Sequence, residues 1–139
     1  MIIKSIHLKE GLFERNIIFS DSANLVFSER NTRGKTTLLR SLLYGLGYSI
    51  PNTRRLKFDR CEITLTIEAD AAGSVTLFRN NTAFIEAQYK RTGEKITYVL
   101  PEQQQELHSK LWGIENTDIL NNLLGAFYVD QEKGWTLIN

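Results

Sequence analysis

The chain has 139 residues, 42% of them hydrophobic and 24% charged, with 17 Lys and Arg against 16 Asp and Glu, a net charge of +1. That length suits one domain with a real core, and the even charge lacks the basic excess that marks a dedicated nucleic-acid module. Cys61 is the only cysteine. An intrachain disulfide is therefore excluded, and a reducing compartment is expected.

In chain order, Ile2, Ile3, Ile6 and Leu8 are interleaved with polar residues and predict a first strand. The opening segment turns charged within a few residues, unlike a secretory leader. No apolar run approaches the ~20 residues of a membrane span, so a cytoplasmic protein without membrane partners is expected. Residues 16–20 (NIIFS) predict a second strand, and residues 24–27 (NLVF) a short buried one.

From Lys35 the period changes. Leu38, Leu39, Leu42, Leu43 and Leu46 fall on one face of a helix, which Gly45 and Gly47 weaken at its end before Pro51. Alternation then returns. Cys61, Ile63, Leu65 and Ile67 share one face of a strand, and Cys61 reads as an inert core residue. Residues 74–79, 82–87 and 95–99 extend the series as an antiparallel set. Pro101 suits the first position of a helix reaching about Leu111. Asn116 or Thr117 suits the cap of a last helix to about Leu124, and residues 126–129 (AFYV) read as a buried strand. The order implies an α/β domain with an inserted or flanking antiparallel sheet.

The segment SERNTRGKTT, residues 28–37, carries the chemistry. The phosphate-loop pattern is G-x-x-x-x-G-K-[ST] between a strand and a helix. Gly34, Lys35 and Thr36 match its end, while Glu29 stands where the first glycine belongs. Such loops aim backbone N–H groups at phosphate oxygens. Gly34 lets the backbone come close. The Lys35 ammonium reaches the outer phosphates, and the Thr36 hydroxyl ligates Mg2+. A carboxylate at Glu29 opposes an anion, and Arg33 partly offsets it. The expected nucleotide-contacting set is Asn31, Arg33, Gly34, Lys35, Thr36 and Thr37.

The run NTRGKTTLLRSLLYGLGY, preceded by NLVFSE, resembles the N-terminal nucleotide-binding lobe of SMC-like ATPases, the SMC, RecN, RecF and SbcC group within the ABC class. Asn31, Gly34, Lys35 and Thr36 fit their loop, G-x-N-G-x-G-K-[ST]; Glu29 and Thr32 depart from it. The opening MIIKSIHLKE and the later CEITLTIEADAAGSVTLFRN resemble that lobe's first strand and antiparallel sheet. The resemblance implies ATP with Mg2+ as cofactors, and a role in DNA repair, chromosome maintenance or defence. It also implies a Q-loop in FYVDQEKG, with Gln131 touching the metal and the attacking water.

FYVDQE has other readings. It resembles a Walker B strand, in which Asp130 would hold Mg2+ through water and Glu132 would polarise the nucleophile, and it also reads as a plain buried strand with a polar turn. His7, in an early strand, and His108, on a helix, read as structural or solvated. An LSGG-type signature loop and a separate Walker B are not found in the sequence. Residues 1–139 are therefore expected to be one N-terminal lobe of a longer or split protein. Its expected partners are a C-terminal ATPase lobe or second protomer, with DNA in the full assembly, and its own hydrolysis is expected to be very slow. Two alternatives stay open: a self-contained small P-loop NTPase, and a degenerate interaction module without catalysis.

Overall fold

The computed structural model describes residues 1–22, 35–52 and 57–114. Six strands make one sheet: β1 (Ile2–Glu10), β2 (Phe13–Ile18), β3 (Glu62–Ala69), β4 (Gly73–Arg79), β5 (Phe84–Tyr89) and β6 (Lys95–Val99). Their order is β2-β1-β3-β4-β5-β6, and every pairing is antiparallel. Among the described residues two short helices accompany the sheet, α1 (Lys35–Gly45) and α2 (Gln104–Trp112). A single 3-10 turn, Phe58–Arg60, leads into β3.

The period-two pattern explains the sheet. On β3 the buried residues are Ile63, Leu65, Ile67 and Ala69, alternating with half-buried Thr64, Thr66 and Glu68. Register carries this polarity across the whole sheet. Ile17, Ile6, Leu65, Leu77, Ala87 and Ile96 form one row, each paired with the next. The row one residue along, Asn16, His7, Thr64, Phe78, Glu86 and Thr97, lies on the opposite face. The first face is the core. Leu43, Tyr44 and Leu46 of α1 and its exit pack there, with Phe58 and with Leu107 and Leu111 of α2.

These observations correct the expected fold class. The sequence pattern implies an α/β, P-loop-type lobe with an attached antiparallel sheet. The described residues instead make a small β-rich domain in which the antiparallel sheet is the body and the helices are accessories. A parallel α/β sheet needs helical crossovers between parallel neighbours. Here β3 to β6 follow one another as hairpin neighbours, and β1 pairs antiparallel with both β2 and β3. The strand expected at 24–27, the helix at 117–124 and the strand at 126–129 lie outside the described residues.

A smaller correction concerns Pro101. The helix expected to start there starts at Gln104. The intervening residues turn the chain off β6: Gln103 N–H donates to the Val99 carbonyl at 2.7 Å, and Val99 N–H donates to Gln103 Oε1 at 2.7 Å. Gly113 then closes α2 in the left-handed region at φ 71°, its N–H on the Ser109 carbonyl at 2.7 Å.

Candidate phosphate site and its supporting helix

The GKT triad coincides with a helix opening. Lys35 is the first residue of α1, and Thr36 and Thr37 follow in its first turn. The first four N–H groups of any α-helix lack intrahelical acceptors. No acidic residue occupies that first turn, so no carboxylate within it opposes the positive end of the helix dipole. Thr37 is half-buried, and its carbonyl accepts the Ser41 hydroxyl at 2.7 Å. Asn31, Arg33, Gly34 and Glu29 lie outside the described residues, as do Asp130, Gln131 and Glu132. Of the expected site residues, Lys35, Thr36 and Thr37 are among the described ones, as consecutive residues at the start of α1.

The other end of α1 is bound tightly to the sheet. Gly47 N–H donates to the Tyr44 carbonyl at 3.0 Å and Tyr48 N–H to the Leu43 carbonyl at 3.2 Å, with Gly47 at φ 101°. This is a Schellman ending, and the left-handed residue it needs is supplied by glycine. Two side chains from elsewhere complete it. Arg79, at the end of β4, is 2% exposed. One of its terminal nitrogens, Nη1, donates to the carbonyls of Tyr44 and Tyr48, both at 2.8 Å. Nε and Nη2 donate to the carbonyls of Asn81 and Thr82, both at 3.2 Å. The guanidinium carbon lies 3.7 Å from the centre of the Tyr44 ring. Burial pulls the Arg79 pKa below its ordinary value, and Tyr44 acts against that. Arginine remains charged in proteins even so, and its charge meets the negative end of the helix dipole.

His108, on α2, is the second support. Its Nε2 donates to the Leu46 carbonyl at 2.7 Å, which requires the proton on that nitrogen. The ring sits 4.9 Å from Tyr48 and meets Trp112 edge-on at 5.0 Å. Nδ1 is buried with no partner among the described residues. Burial holds the His108 pKa below the usual imidazole value, and the bond to Leu46 acts the other way. The structural reading of His108 holds. His7 lies on the opposite face, with Nε2 2.6 Å from Glu14 Oε1.

Sequence reasoning missed Arg79, although a signal was there. Val75, Leu77 and Arg79 alternate along β4, so a strand with Val75 and Leu77 in the core must also turn Arg79 inward. An arginine in phase with core residues needs several acceptors, and helix-terminal carbonyls are a ready source.

Cys61 is fully buried, its thiol directed at the Lys57 carbonyl at 3.2 Å. Burial, with Glu10 adding to it, pushes its pKa up to about 12. It is inert, as a core cysteine should be. Among the described residues no group of three or more His, Cys, Asp or Glu is placed to hold a metal ion. No described helix is long and apolar enough to cross a membrane.

The chain is similar to the Lamassu protein LmuB of a Bacillus species. The two are 25% identical over 130 residues. The match takes in 87% of this chain but 22% of LmuB, so most of LmuB has no counterpart in these residues. No family model matches.

Proposed function

We propose that residues 29–36 bind the phosphates of Mg–ATP, and that the chain is the ATP-binding portion of an SMC-like ATPase working in a defence system. The observation that supports this most is the opening of α1 at Lys35. That opening puts the Lys-Thr pair of the loop motif in the first turn of a helix, where N–H groups lack intrahelical acceptors and suit an anion. The similarity to a Lamassu protein favours defence over repair or chromosome maintenance.

Lys35 would pair with the outer phosphates and Thr36 with Mg2+, which supplies charge neutralisation between the phosphates. Asn31, Arg33, Gly34 and Thr37 would complete the cradle, and Gln131 would orient the attacking water. Phosphoryl transfer also needs charge stabilisation at the transition state. The proposed partner, a C-terminal ATPase lobe or second protomer, would supply it, with DNA joining in the full assembly. A self-contained small NTPase is disfavoured because every described strand pair is antiparallel, whereas such enzymes are built on parallel βαβ units.

Titration calorimetry with Mg–ATP tests the reading. Lys35→Ala should weaken binding by roughly tenfold or more, a loss of about 1.4 kcal/mol or greater, with the fold intact by circular dichroism. Equal affinities would refute the phosphate site. Steady-state phosphate release from the chain alone should stay far below the ~1 per second at the low end of ordinary enzymes. Turnover near that rate, lost in Lys35→Ala, would favour a complete NTPase.

A further inference from the structure

We draw no further inference here: the strongest candidate, the outer edge of β2, which pairs with β1 on its other side and leaves Ile18 78% and Phe13 50% exposed, carries nothing, because nothing among the described residues shows what covers it.

Discussion

Gly45 offers a direct test of how α1 meets the sheet. A glycine inside an exposed helix costs about 1 kcal/mol relative to alanine, so Gly→Ala there normally stabilises by that amount. At Gly45 a Cβ would stand 3.1 Å from Ile63 Cγ2 and 3.4 Å from Leu65 Cδ2. Ile63 and Leu65 are both fully buried in the central part of the sheet, and the β-branched Ile63 has little rotamer freedom with which to yield. Forcing a methyl into a filled core costs about 1–3 kcal/mol. The two effects oppose, and the clash prevails. Gly45→Ala should lose up to about 2 kcal/mol. Gly45→Val, which adds two further methyl groups toward the same wall, should lose clearly more. Urea unfolding followed by tryptophan fluorescence measures this: with m of about 1–3 kcal/mol per molar, a loss of 1 kcal/mol shifts the midpoint down by about 0.3–1 M. A gain of about 1 kcal/mol in Gly45→Ala, the value for a glycine facing solvent, would refute the close docking of α1 on β3.

His108 should make stability pH-dependent. Its folded pKa is lowered, so the unfolded chain takes up the proton first. Its contribution is complete above about pH 6.5 and falls as the pH drops below that value, by at most about 1.4 kcal/mol per pH unit. Urea midpoints from pH 7.5 to 5 should show that slope in the wild type and a shallower one in His108→Gln; equal slopes would refute the assignment. Glu29→Gly should tighten Mg–ATP binding, because it removes a negative charge near the triphosphate and restores the loop glycine. Weaker binding by calorimetry would give Glu29 a positive role, such as pairing with Arg30 or Arg33.

Much of the local structure could be read from the sequence because its signals are local. Alternation over Cys61, Ile63, Leu65 and Ile67 needed only the two-residue period of a strand, and these residues are the buried face of β3 and its entry. The leucine spacing after Gly34 identified α1, and Gly45 and Gly47 marked its end. The GKT triad was likewise a local pattern, although Asn31, Arg33, Gly34 and Gln131 fall outside the described residues. What the sequence could not decide was which elements meet. The pairing of Ile6 with Leu65 joins residues far apart in the chain, and no local period encodes it. That pairing puts β1 between β2 and β3, and the resulting all-antiparallel sheet overturned the expected α/β class. The roles of Arg79 and His108 belong to the same category. Each looks like a stray polar residue in an apolar pattern until the fold carries the end of α1 to it. Burial then sets these donors against helix-end carbonyls that have spent no bond within the helix.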